Sequence, residues 1–148
     1  MQQPHMGKII GVCISDRKGI PKKNVGSAYL EKGLGIKDDA HSGPWHRQIS
    51  LLANEAIDTM RQKGYELVEG SFAENLTTEG VDLKNLPIGT GLKVGASVRL
   101  KITQIGKECH TKCAIFRKVG KCIMPLEGVF AEVVESGTVK VGDTIEAI

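Results

Sequence analysis

Three of the four cysteines, Cys109, Cys113 and Cys122, fall in one stretch near the C-terminus, with Lys107, His110, Lys112, Arg117 and Lys118 around them. Neighbouring positive charge favours thiolate over thiol, the form that attacks electrophiles, carries sulfur as a persulfide and binds metal. Three chemistries are open to this pattern. Cys109 can serve as nucleophile, sulfur carrier or metal ligand. Cys109, Cys113 and Cys122, completed by His110, can instead hold zinc in a non-catalytic interaction module, although structural zinc sites usually present two compact ligand pairs and this stretch has one. Reversible Cys109–Cys113 disulfide formation is the third, at a spacing that differs from the Cys-x-x-Cys of the best-attested redox pairs.

A second polar group is His41, His46 and Arg47, of which His41 follows Asp38 and Asp39 inside a long turn-rich segment from Gly33 to Pro44 and the other two lie just past it. Long loops carrying His and Asp often hold function. The plainer reading is that His41 bonds loop backbone and Arg47 lies on the surface. Glu74 and Asn75 form a third group, serving either a site or only the backbone of a turn. Cys13, in an apolar stretch, reads as a buried small residue. The chain contains no phosphate loop, no dinucleotide fingerprint and no nucleophilic serine elbow.

The elements that must position these groups are mostly strands. Val98 to Thr103 alternates apolar and polar residues strictly, so one side faces a core and the loop after it delivers Cys109 to an edge. Gly7 to Ser15, Val25 to Leu30, Gln48 to Leu52, Leu92 to Val94, Val129 to Val134 and a final pair split by Gly142-Asp143 also read as strands, with a short one at Tyr65 to Glu69. A helix is expected from Glu55 to Lys63, capped by Asn54 and stopped by Gly64, with Ala56, Ile57 and Met60 on one side. The stretch from Gly70 to Thr77 has no settled period. The shared strand, Gly-turn, strand shape around Gly95 and Gly142 hints at an internal echo.

A chain of 148 residues with 41% hydrophobic and 25% charged residues suits one soluble domain. Residues 1–6 read as an N-terminal extension, disordered or left from expression, and 7–148 as a single domain. Eighteen glycines against only six aromatic residues favour a small barrel or sandwich with a Val, Ile and Leu core. No apolar run is long enough for a membrane helix, and the N-terminus lacks the pattern of a secretory signal. The expected compartment is therefore the cytoplasm, with thiols free or metal-bound. A net charge of +3 welcomes an anionic ligand but falls short of the strongly basic balance of a nucleic-acid module.

Taken in order, several segments resemble the MOSC domain, found at the C-terminus of molybdenum cofactor sulfurases and as small stand-alone bacterial proteins. The matching stretches are Gly35 to His41, Trp45 to Leu51, Gly70 to Thr77, Leu86 to Gly89, Val94-Gly95, the strand into Cys109, and Val139 to Asp143. The resemblance implies a mainly β fold, a closed barrel with a few short helices. It implies a molybdenum cofactor (molybdopterin) site in which Cys109 ligates molybdenum or carries sulfur. His41, Arg47 and Asn75 would line the cleft beside it, and Arg47 or a nearby lysine, Lys112 among them, would meet the anionic phosphate of the pterin. The implied partners are a cysteine desulfurase and molybdenum enzymes or their biosynthesis proteins, so pyridoxal phosphate would enter only through that separate sulfur donor. The implied activity is sulfurtransferase-like, or a molybdenum-dependent reduction of N-hydroxylated compounds. Glu108 stands where the family often has proline, and Cys113 and Cys122 lie outside the general family pattern.

Overall fold

The computed structural model describes residues 6–106 and 127–148; Cys109, Lys112, Cys113 and Cys122 lie outside the described residues. Eleven strands and one helix make up the described fold. In chain order they are β1 (Met6–Ile14), β2 (Lys23–Asn24), β3 (Ser27–Glu31), β4 (Gly35–Ile36), β5 (Ile49–Ala53), α1 (Asn54–Arg61), β6 (Leu76–Glu79), β7 (Gly91–Val94), β8 (Val98–Ile105), β9 (Val129–Glu135), β10 (Gly137–Lys140) and β11 (Thr144–Ala147).

Alternation decides which side of each strand turns inward. In β8, Val98, Leu100 and Ile102 are buried while Arg99 and Lys101 are exposed. Seven strands close on themselves in the order β11, β7, β8, β9, β5, β6, β1, with β1 pairing back to β11. Closure removes the sheet edges that would otherwise stay unpaired. The barrel is filled by Ile9, Ile49, Leu51, Leu76, Leu92, Leu100, Ile102 and their neighbours. Full burial of each such side chain contributes about 1.5–3 kcal/mol, which explains how a chain with so few aromatics still builds a core.

Ile49 to Leu52 are all buried because β5 has apolar layers on both faces. Ile49 and Leu51 face the barrel interior, whereas Leu52 packs outside it with Ala56, Ile57 and Met60 of α1, Leu67, Phe72 and Phe130. The helix is thus held by its apolar side. It spans the crossover between β5 and β6, the parallel pair of the barrel. Because β9 is antiparallel to both β5 and β8, the C-terminal ends of β5, β6 and β8 share one end of the barrel.

The helix begins one residue earlier than its sequence pattern suggests. Ala53 occupies the cap position with no side-chain hydrogen bond, and Asn54 lies inside the first turn, its Oδ1 accepting from Arg61 Nη1 at 2.7 Å. Tyr65 to Glu69 forms no strand, since Leu67 turns into the outer cluster and its carbonyl accepts from Arg61 Nε at 2.9 Å. The final two strands are not a hairpin. β10 pairs with β3 in a separate three-stranded sheet, while β11 joins the barrel.

Candidate functional site

The loop from Lys37 to Gln48 carries the polar residues singled out by sequence, and a buried carboxylate shapes its first half. Asp39 accepts from the N–H of Ser15 at 3.1 Å, the N–H of His41 at 3.0 Å and the ammonium of Lys22 at 2.8 Å. Lys22 Nζ also donates to Ser15 Oγ at 2.9 Å. Burial alone would raise the Asp39 pKa, but the Lys22 hydrogen bond and charge, with the two backbone donors, outweigh it and hold the carboxyl below its ordinary range. Burial pulls the Lys22 ammonium down, against the pull of Asp39. The pair stays ionic because the carboxylate accepts from two backbone N–H groups as well as from the ammonium.

His41 is anchored by this carboxylate. Its Nδ1 lies 3.9 Å from Asp39 Oδ2, its side chain is only 15% exposed, and its carbonyl accepts from Trp45 Nε1 at 2.8 Å. Trp45 in turn carries two cations against its ring, Lys18 Nζ and the Arg47 guanidinium, each 4.7 Å from the centroid. Such contacts contribute about 0.5–1 kcal/mol at exposed sites and more when water is excluded. Arg47 also faces Phe130 at 5.7 Å, and its buried Nε has no hydrogen-bond partner among the described residues.

The second half of the loop crosses the outside of β9 and reaches the end of β8. Gln48 Oε1 accepts from the N–H of Val133 at 2.9 Å, Thr103 Oγ1 donates to the His46 carbonyl, and His46 Nε2 meets Gln104 Oε1 at 2.9 Å. His46 and Arg47 are therefore placed at the exit of the strand that leads into Cys109. At that exit the N–H of Gly106 donates to the carbonyl of Gly128 at 2.7 Å, tying together the two ends of the 107–127 segment.

Asn75 is brought near the same layer of the barrel, but both ends of its amide are engaged. Oδ1 accepts from the N–H of Ser50 at 2.9 Å, and Nδ2 donates to the Cys13 carbonyl at 3.0 Å. The side chain is 0% exposed and laces β5 and β6 to β1. Glu74 is buried beside it, its carboxylate accepting from the N–H groups of Gly70 and Phe72 and from Thr77 Oγ1. Burial pushes its pKa up. Asp38 and Ala73, each directly before a buried carboxylate, take a left-handed backbone at φ 70° and 65°.

Cys13 is 0% exposed, and burial, with the Glu74 charge, pushes its thiol up to about 12. It is a core residue without nucleophilic character at neutral pH. Among the described residues no group of three or more His, Cys, Asp and Glu side chains is arranged to hold a metal ion.

Lys22, Ser15, Trp45, Lys18 and Gln104 were not singled out by the sequence pattern. Lys22 sits in a run of basic residues that looks solvated, and no local period marks it as buried. Trp45, a solitary indole between histidine and a Gly-Pro turn, is the one that composition alone flags.

A closed barrel with a polar loop laid onto the exit of one strand defines a barrel of the MOSC type. The MOSC domain profile matches residues 38–146, and the chain belongs to that family. Among curated proteins none matches the chain. Among solved structures, YuaD from Bacillus subtilis superposes with a TM-score of 0.80 at 20% identity, covering 99% of this chain and 98% of that one. YiiM from Escherichia coli gives 0.68 at 16% identity, covering 98% and 70%, and YiiM from Geobacillus stearothermophilus 0.66 at 18%, covering 97% and 75%. At such identities the likeness is one of fold.

Proposed function

We propose that this protein binds molybdenum cofactor and uses Cys109 as its molybdenum ligand or as a persulfide carrier. Family membership supports a molybdenum cofactor role, and the observation that carries it to particular residues is the contact of His46 with Gln104 at the exit of β8, which leads on to Cys109.

The residues beside that exit suit the group. Arg47 has a buried Nε with no hydrogen-bond partner among the described residues, held in place by Trp45 and Phe130, so an acceptor that reaches it gains a preformed donor. A pterin phosphate supplies such an acceptor, with Lys18 and Lys112 adding positive charge. When bound, the cofactor would supply a molybdenum centre that accepts a soft thiolate. His41 would orient the ligand from a ring held by Asp39. The amide of Asn75, spent on backbone, would support the cleft from behind. A cysteine desulfurase would load sulfur onto Cys109. Sulfur handling ranks ahead of independent reduction of N-hydroxylated compounds, which calls for an electron donor.

The test is to purify the protein from cells that make the cofactor and to measure molybdenum, zinc and pterin in the native form, Cys109→Ser and Arg47→Ala. Molybdenum and pterin are expected in the native protein, with molybdenum lost from Cys109→Ser and pterin lost from Arg47→Ala. Substitutions that change neither content would sink the assignment. About one zinc per chain, lost equally on substitution of Cys109, Cys113 or Cys122, would favour the zinc-bound interaction module in its place.

A further inference from the structure

The end of the barrel where β5, β6 and β8 terminate contains a cavity of about 470 Å³. Val81 and Leu83, alternate residues in the stretch after β6, turn inward beside Leu51 and Val129 and form an apolar floor. Ala56 and Thr59 of α1 wall one side. A volume of this size falls within the range of pockets that enclose small organic molecules.

The mouth is charged, and among the described residues that line it the charges are unbalanced. Glu55, Asp82 and Glu127 line it together with Lys84, whose ammonium is taken up by Glu127 at 2.7 Å. Each carboxylate is tethered through one oxygen. Glu55 Oε2 accepts from the N–H of Gly80 at 2.7 Å, Asp82 Oδ2 from Asn85 Nδ2 at 2.7 Å, and Glu127 Oε2 from Lys84. The second oxygen of each makes no hydrogen bond to the described residues. Tethering fixes the orientation of a carboxylate without exhausting its acceptor capacity. An apolar floor beneath a mouth whose described side chains are net anionic is complementary to a molecule with an apolar body and a cationic head.

We propose that this cavity is a binding site for a small organic cation, a protonated amine carried on an apolar body about the size of one ring. The apolar body is buried against Leu51, Val81, Leu83 and Val129, and the ammonium meets Glu55 and Asp82. Such a charge pair is several times stronger at the dielectric of a protein surface than in bulk water. An anion of the same shape is repelled, and a neutral molecule gains only the apolar contact. The proposal rests on the cavity's own walls and does not depend on molybdenum or on Cys109.

The experiment uses the full chain, labelled with ¹⁵N, and three probes of one shape: benzylammonium, benzyl alcohol and benzoate. Benzylammonium is expected to shift the amide resonances of residues 56–59 and 81–84 saturably, more weakly at raised ionic strength. Benzyl alcohol should bind about tenfold more weakly and benzoate not at all. Glu55→Gln combined with Asp82→Asn should abolish the preference for the cation, and Thr59→Trp should block all three probes. These substitutions fall at exposed positions, and unchanged resonances of the barrel core confirm that the variants fold. Equal binding of the three probes, absence of a saturable shift, or full binding by both variants overturns the proposal. Cation binding should persist in Cys109→Ser, and its loss there would overturn the site's independence.

Discussion

Lys22 Nζ lies 2.8 Å from Asp39 Oδ1, and neither side chain reaches solvent. The pair joins the loop after β1 to the loop after β4 and gives the His41 to Arg47 segment a fixed origin. A buried ion pair is costly to assemble and far more costly to halve.

Asp39→Ala should therefore destabilise the protein by about 3–5 kcal/mol, because it strands a buried ammonium. The double variant Lys22→Met with Asp39→Ala should recover much of that loss. Urea denaturation of the wild type, both single variants and the double variant closes the cycle. A double variant as unstable as the sum of the singles would show that the two charges do not interact.

The two buried carboxylates respond to pH with opposite sign. The Asp39 pKa is depressed on folding, so its contribution is present above its unfolded value, near pH 4, and is lost as pH falls through the folded value. The Glu74 pKa is raised, so folded protein gains stability as pH falls through that raised value toward the unfolded one. Denaturation of the wild type and Glu74→Gln from pH 8 to pH 5 should show the difference moving in favour of the wild type as pH falls. A difference that does not change with pH contradicts the assignment.

Much of the barrel is readable before any coordinates, and the reason is period. The alternation in Val98 to Thr103 is enforced by a core on one side and water on the other, and the structure places those residues accordingly. Tyr65 to Glu69 was expected as a strand because Tyr65 and Leu67 sit two apart, but only Leu67 is buried, and in an outer cluster fixed by distant residues. The burial of Lys22 is likewise decided by Asp39, seventeen positions away, through a contact with no local signature. Cys13 was legible as a core residue because an apolar strand surrounds it. The contact of His46 with β8 rests on a bond spanning 58 positions, which no local pattern signals.

Asn75 offers a way to separate support from ligand contact. Asn75→Ala leaves the Ser50 N–H and the Cys13 carbonyl without their partners, at a cost of about 1–3 kcal/mol for each buried group. Thermal unfolding should fall by several degrees, whereas Arg47→Ala, at a partly exposed position, should change it little. A stable Asn75→Ala protein would refute the lacing role.

Gly70 should tolerate no side chain. Its φ is +90°, and a Cβ there would approach the Lys22 carbonyl oxygen to 2.2 Å. Its carbonyl also accepts from the N–H of Lys22 at 2.8 Å, so the backbone cannot withdraw without disturbing the Asp39 pair. Gly70→Ala is expected to cost about 3 kcal/mol, combining left-handed strain with overpacking. Chemical denaturation measures it, and a loss under about 1 kcal/mol, the ordinary penalty of left-handed alanine, would show that the contact relaxes.

The hydrogen bond from Gly106 to Gly128 closes the barrel's register before the cysteine-bearing stretch begins and resumes it after the stretch ends. The described frame is thus joined across the two glycines themselves. Loop-closure entropy grows only logarithmically, so each doubling of such an insert adds about 0.6 kcal/mol. A frame closed in this way accepts changes of chain length between Gly106 and Gly128 without reworking its core.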